Sequence, residues 1–469
     1  MIVNEKKLLR QNEGVDKWFK HECNGILDYH TGVGKTFTAI LCIKAIELIK
    51  KSTYLIVVPG PDLLKQWNEE LENLLPKSVI NRITVVTYST ILLQKLKYEV
   101  DVQIVDEIHE CSSEERIKII DGTYVTAPKF LGLTASGDDK NFRKITRHYK
   151  IIDLITAEEA LQEGYVAPFI EYNLAVDLTL REKELYDHYT EIISKMMPMF
   201  SNHLEYANYV LFGGKHSNGA YYSGPGWARG LAAKHGWEDN MDLTITKNRD
   251  INRLYNPNNF IGYAKALTNA VRGRKTLLCT ATAKYHATLD ILKKIDKVKT
   301  ILFSESTEFA DKIAVMLNKN NIPTAVFHSS LKSIKTPSEK TGKLITLGKV
   351  RLKKRAIEQI KTGKVRAIST AKALDKGLDV VDLRMAVTTS GTQNTTQNKQ
   401  RSGRPTRQED CITSDVPVLL VNVYVKNTQD EKWLHSRQEL NKHTSIEITS
   451  VDEITYSPPS NKEFTLKDL

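Results

Sequence analysis

The run His30-Thr31-Gly32-Val33-Gly34-Lys35-Thr36 follows a short apolar stretch, Gly25–Leu27, and opens a helical pattern. Glycines there let backbone N–H groups curl around phosphate oxygens, and a helix N-terminus adds positive potential at the same place. Lys35 has the reach for β- and γ-phosphates, and the Thr36 hydroxyl suits Mg2+. The strict phosphate-loop pattern has a glycine where Tyr29 stands, so this is a shortened form. Farther along, the apolar run Val102–Val105 ends in Asp106-Glu107-Ile108-His109. A carboxylate at the C-terminal end of a strand sits where doubly wound sheets bind ligands. Asp106 is suited to hold Mg2+, and Glu107 to orient or deprotonate an attacking water. Acid pairs at strand ends are common, but one downstream of a phosphate loop is far more specific. A third group, Gln397, Gln400, Arg401, Gly403, Arg404 and Arg407, crowds into eleven residues. Arginines that reach a γ-phosphate stabilise transition-state charge, an effect worth about 10³–10⁵ in rate. In isolation such a run also reads as a basic surface loop.

These groups need rigid elements to bring them together. Gly25–Leu27, Tyr54–Val58, Ile83–Thr87, Val102–Val105 and Phe130–Leu133 read as buried strands, with helical patterns such as Thr36–Lys50 and Asp62–Leu75 between them. That alternation predicts a parallel sheet covered on both faces. It resumes late, with strands at Thr300–Phe303, Thr324–Phe327, Arg366–Thr370, Met385–Thr388 and Val416–Val425. The expected fold is α/β: two doubly wound parallel-sheet lobes with an aromatic and glycine-rich insert between them. We divide the chain into a first lobe, 1–165, a bridging accessory element, 166–265, a second lobe, 266–450, and a polar tail, 451–469.

The 469 residues are 41% hydrophobic and 26% charged, the balance of a globular chain. No apolar stretch reaches the ~20 residues a membrane helix needs. The five cysteines lie far apart with no C-x-x-C pair, which disfavours disulfide-scaffold and zinc-ribbon classes and leads us to expect a cytoplasmic protein. The net charge of +11 suggests a polyanionic partner. Between Leu331 and Arg366 twelve basic residues, Lys353, Lys354 and Arg355 among them, face only Glu339 and Glu358, a local excess of ten. Most charge runs are solvated faces, yet this concentration points to a phosphate backbone. The stretch 201–263 carries aromatics with nearby Lys215, Arg229, Lys234, Arg249 and Arg253. Such rings either stack on bases or fill a core.

Together these motifs resemble a superfamily 2 helicase of the DExH type. Beyond the DEIH box, Leu55–Pro59 with Leu63, Gln66 and Trp67 resembles motif Ia, and Thr87-Tyr88-Ser89 the strand-contacting motif ahead of the acidic box. Leu131 to Ser136 resembles motif III, Ile301 to Ser304 motif IV, Ser369-Thr370 with Gly377 to Asp379 motif V, and Gln397 to Arg407 motif VI. Compact phage helicases of the UvsW type, with their XPB and RecG relatives, look most similar.

The resemblance implies two RecA-like lobes closing on ATP-Mg2+. Thr31, Gly32, Val33, Gly34, Lys35, Thr36, Asp106 and Glu107 would hold and hydrolyse it from one side, with Gln11 reading adenine. Arg404 and Arg407 would approach from the other side, with Gly377 and Asp379 sensing nucleotide. His109, Thr134, Ser136, Gln397 and Arg401 would couple hydrolysis to movement. Pro59, Thr87, Tyr88, Ser304 and Thr370 would grip a strand, together with the basic cluster. Thr36 and Asp106 would ligate Mg2+. The implied activity is 3′→5′ unwinding or remodelling of single-stranded, forked and Holliday-like DNA by a monomer, in replication, recombination or repair. Translocation on duplex DNA without strand separation, an RNA helicase and an ATP-gated clamp are the alternatives. A clamp could dispense with Glu107, Arg404 and Arg407, and this chain has all three.

Overall fold

The computed structural model describes residues 5–135, 140–216, 219–234, 257–337, 344–371, 383–390, 417–438 and 445–456. The first sheet is built from β1 (Asn24–Tyr29), β2 (Tyr54–Val58), β3 (Ile83–Thr87), β4 (Val102–Val105), β5 (Lys129–Thr134) and β6 (Ile151–Ile155). Their order is β3-β2-β4-β5-β1-β6, with every neighbouring pair parallel. Strand β2, Tyr-Leu-Ile-Val-Val, is buried throughout, as a strand covered on both faces must be. Helices α1 (Glu5–Lys20), α2 (Lys35–Ile49), α3 (Pro61–Leu74) and α4 (Tyr88–Gln94) alternate with the strands. In α3, proline starts the helix and Leu63, Leu64, Trp67, Leu71 and Leu74 recur at helical spacing against the core. The order β4-β5-β1 matters most for function. It sets side by side the strand ending at Asp106, the strand ending in Thr134 and the strand that feeds the phosphate loop.

The second sheet comprises β7 (Phe169–Val176), β8 (Lys299–Ser304), β9 (Thr324–His328), β10 (Ala367–Ala371), β11 (Leu383–Thr388), β12 (Val418–Val425) and β13 (Ile446–Ile448). They run β9-β10-β8-β11-β12-β7-β13. Two mixed α/β bodies with parallel sheets are the RecA-like lobes that the motifs imply. Strand β7 falls inside the stretch 166–265 yet belongs to this sheet, where buried Asn173 bonds Gln438, Ser445 and Glu447. The first residues of 451–469 are also fixed. Ser450 and Glu453 form a capping box, Ile454 is buried, and Lys294 Nζ donates to the carbonyls of Val451 and Asp452.

Residues Val176–His286 form a separate compact unit. It contains helices Leu180–Met196, Leu204–Phe212, Gly224–Lys234 and Pro257–Cys279, and a short hairpin pairing Gly214–Lys215 with Tyr221–Tyr222. Phe200, Val210, Trp227, Leu231, Phe260 and Leu267 are among its buried core residues. Among the described rings of 201–263, Trp227 and Phe260 therefore do the ordinary work of a core, and Tyr206, Tyr209 and Tyr263 pack against it. No helix among the described residues is long and apolar enough to cross a membrane.

Candidate nucleotide site

The loop from β1 to α2 is bent by Gly32 (φ 96°) and Gly34 (φ 94°), both in the left-handed region that side chains disfavour. Gly34 is the N-cap of α2 and brings no side chain to the amides of the first turn. A helix start left in this state is an anion site. A Cβ at Gly34 would also lie 2.6 Å from Gln11 Nε2. That amide donates to the Val33 carbonyl at 2.7 Å, while Lys7 Nζ donates to the Gly32 carbonyl at 2.8 Å. Gln11 is thus bonded to the loop itself. Lys7 was not anticipated, although its spacing of four from Gln11 puts both on one face of α1. Lys35 Nζ lies 3.5 Å from the Tyr29 carbonyl oxygen, and the buried Thr31 hydroxyl has no partner among the described residues.

A buried charge cluster holds α1 against this loop. Asp153, on β6, accepts from Arg10 through both oxygens (2.6 and 2.9 Å), from Lys17 (2.6 Å) and from the Tyr29 phenol (2.6 Å). Arg10 also donates to Glu159 and to the Leu154 carbonyl. Burial alone would raise the Asp153 carboxyl, but hydrogen bonds from Arg10, Lys17 and Tyr29 hold it below its ordinary value.

Asp106 is buried at the end of β4. One oxygen accepts from the Trp67 indole at 2.9 Å, the other from the Glu107 backbone N–H at 2.9 Å. Burial first, and the charge of Glu107 second, push its carboxyl up to about 6, against the lowering effect of Trp67 and Lys35. A buried acid reluctant to ionise beside a second acid gains from a bound cation, so the donor set fits Mg2+. Glu107 itself is left-handed (φ 50°), a conformation costing roughly 1 kcal/mol in a non-glycine residue. The Tyr88 phenol supports this turn, donating to the carbonyls of Asp106 and Glu107. His109 Nδ1 lies 3.4 Å from Glu107 Oε2 and 3.2 Å from the Thr134 hydroxyl. One imidazole therefore joins the acidic box to the end of β5.

The expected strand-gripping residues fare less uniformly. Tyr88 is buried beneath the acidic box, so its side chain positions the site rather than meeting nucleic acid. Ser304 is buried as well, receiving the Ser306 N–H. Thr87 caps α4 by accepting from Thr90 N. Pro59 is half-buried, and Thr370 is buried, its hydroxyl without a partner among the described residues. In the basic stretch, Lys354 is exposed, while Lys353 Nζ sits 4.8 Å from the centre of the Phe327 ring and Arg355 is half-buried. Arg366 turns inward to the carbonyls of Leu292 and Ile295. Ser136, Gly377, Asp379, Gln397, Arg401, Arg404 and Arg407 lie outside the described residues.

Two family models match in chain order: "Type III restriction enzyme, res subunit" over residues 5–138 and "Helicase conserved C-terminal domain" over residues 283–409. The chain belongs to the superfamily 2 helicases. It is an ATP-hydrolysing enzyme that acts on nucleic acid. A curated relative, the DNA 3'-5' translocase XPB2 of Sulfurisphaera tokodaii, is 25% identical over 454 residues, covering 93% of this chain and 86% of that protein. The Hef helicase domain of Pyrococcus furiosus shares the fold, with a TM-score of 0.51 at 18% identity over 91% of this chain and 97% of that one.

Proposed function

We propose that this helicase is an ATP-driven DNA translocase of the DExH type, moving 3′→5′ and remodelling forked or Holliday-like DNA as a monomer, as a compact UvsW-type enzyme of replication, recombination or repair would. The observation that carries DNA and polarity is the likeness, along nearly the whole chain, to a protein named a DNA 3'-5' translocase. The branched substrate rests on the accessory unit, because paired RecA-like lobes are common to enzymes with many substrates.

In this reading the amides at the start of α2 and Lys35 hold the β- and γ-phosphates, and Gln11 and Lys7 fix the loop beneath them. Thr36 and Asp106 hold Mg2+, which when bound offsets the negative charge of the triphosphate. Glu107 orients and deprotonates the attacking water. His109 passes the state of Glu107 to Thr134. Arg404 and Arg407 would complete the site, with Gly377, Asp379, Gln397 and Arg401 beside them and Ser136 next to Thr134. Pro59, Thr87 and exposed Lys354 contact strand phosphates through sequence-independent, salt-sensitive bonds, with buried Thr370 supporting them from beneath.

The test is ATP hydrolysis by the full chain alone and with single-stranded DNA, duplex DNA, a four-way junction or RNA, followed by displacement from 3′- and 5′-tailed duplexes. Strongest stimulation by the junction and displacement from the 3′ tail support the proposal. Stimulation by RNA alone reassigns the substrate, turnover on duplex without displacement makes it a duplex translocase, and binding without turnover makes it a clamp.

A further inference from the structure

The hairpin in the unit Val176–His286 is fastened to its neighbours by a bond, ring contacts and a close backbone approach. The Trp227 indole donates to the Gly214 carbonyl at 3.0 Å, and its ring lies 4.7 Å from that of Tyr209 and 5.5 Å from that of Tyr206. A Cβ at Gly224 would stand 2.3 Å from the Val210 carbonyl oxygen, and one at Gly214 would stand 2.2 Å from the Tyr209 ring. The Gly214 approach presses the hairpin onto helix Leu204–Phe212, and the Gly224 approach brings the start of helix Gly224–Lys234 against that same helix. At the hairpin's tip His216 N donates to the Ala220 carbonyl at 2.8 Å.

With the backbone held in this way, three rings among the described residues remain outside the core. Phe212 is 76% exposed, Tyr221 66% and Tyr222 42%. Lys215 stands directly across the hairpin from Tyr221. No acidic residue occurs between Glu205 and Glu238, whereas Lys215, Arg229 and Lys234 all do, and all three are exposed. Aromatic rings on a preorganised backbone, in a stretch whose only charged side chains are basic, match unpaired bases joined by phosphates. A protein partner would more commonly meet an apolar centre with charges of both signs at the rim.

We propose that Phe212, Tyr221 and Tyr222 form a stacking platform for the bases of an unpaired nucleic-acid strand, with Lys215 on its phosphates. The platform rests on the nucleic-acid reading above and names the residues through which the accessory unit would take hold of opened DNA.

The experiment measures binding of the full chain to single-stranded DNA carrying 2-aminopurine, whose fluorescence reports stacking. Tyr221→Ala and Phe212→Ala should each weaken binding about 5- to 100-fold and reduce the fluorescence change. Tyr221→Trp should preserve both, because the platform uses the ring and not the hydroxyl. Lys215→Ala should lower the salt dependence of log affinity by about 0.7. Wild-type affinity and fluorescence in Tyr221→Ala and Phe212→Ala, at unchanged melting temperature, would overturn the platform. Loss of self-association in those variants with DNA binding intact would also overturn it, marking the face as a contact between copies. Failure of the wild-type chain to bind any DNA would instead sink the nucleic-acid reading on which the platform stands.

Discussion

At the edge of the first sheet Asp153 is a buried charge held by Arg10, Lys17 and Tyr29, and Asp106 a buried charge held by Trp67 and the Glu107 amide. In the unit Val176–His286 the interior is Phe200, Trp227, Phe260 and aliphatic side chains, and its exposed rings among the described residues are Tyr221 and Tyr222 on a short hairpin and Phe212 at the end of the helix before it. The difference is one of task. A nucleotide site must keep ions where solvent would be cheaper, so each needs several donors at once. A recognition element needs only a firm backbone under side chains that face outward. Polar networks with fixed partners thus mark the candidate nucleotide site, and apolar packing with exposed rings marks the proposed contact surface.

Four substitutions probe that contrast. The largest effect is expected from Lys35→Ala, which should lower kcat by about 10²–10³ in steady-state hydrolysis, the range for losing one preorganised donor at a developing charge. Asp153→Asn comes next. Breaking a buried pair costs about 3–5 kcal/mol, and here it also frees α1, so the melting temperature should fall and the KM for ATP should rise more than kcat falls. The sign with pH follows from the lowered carboxyl of Asp153. Its stabilisation is present above the unfolded value of about 3.9 and is lost as pH drops through the folded value. Wild type and variant should therefore differ fully at neutral pH and converge in acid unfolding. If they differ equally at all pH values, the charge cluster is not what holds α1.

Trp227→Ala should cost about 3–5 kcal/mol within its own unit by leaving a cavity. Hydrogen exchange should then quicken across 204–234 while the amides of α1 stay protected. Equal quickening in both places would mean that the two regions are not independent in stability. The smallest effect belongs to exposed Lys354. Its replacement by Ala should flatten the salt dependence of DNA binding by about 0.7–0.9 in log units, without a change in melting. An unchanged slope would make the helix Lys349–Lys361 ordinary surface.

Much of the first lobe was legible from residue order alone. Apolar runs located β1 to β5, and glycine spacing located the phosphate loop, because both patterns are local. The network Arg10–Asp153–Tyr29 was not legible, since Arg10 and Asp153 are 143 residues apart and no local period records such pairing. The bond from Trp67 to Asp106 was hidden for the same reason, though Trp67 itself stood in a recognised motif. Tyr88 was misread because a motif places a residue on an element without saying which way it points. Strand β7 was missed as part of the second sheet because it joins from a stretch far earlier in the chain than its neighbours. In the accessory unit composition could not separate core rings from exposed ones, and burial does.

The central claim is that one set of residues, from the phosphate loop through Asp106 and Glu107 to His109 and Thr134, hydrolyses ATP in response to nucleic acid. Its most direct test is ATP turnover and ATP binding by the wild type and Glu107→Gln, each with and without single-stranded DNA. The account predicts DNA-stimulated turnover in the wild type. For Glu107→Gln it predicts near-normal ATP binding and turnover lower by about 10²–10⁴, the range for losing a general base, whether or not DNA is present. Turnover in Glu107→Gln equal to that of the wild type would contradict it.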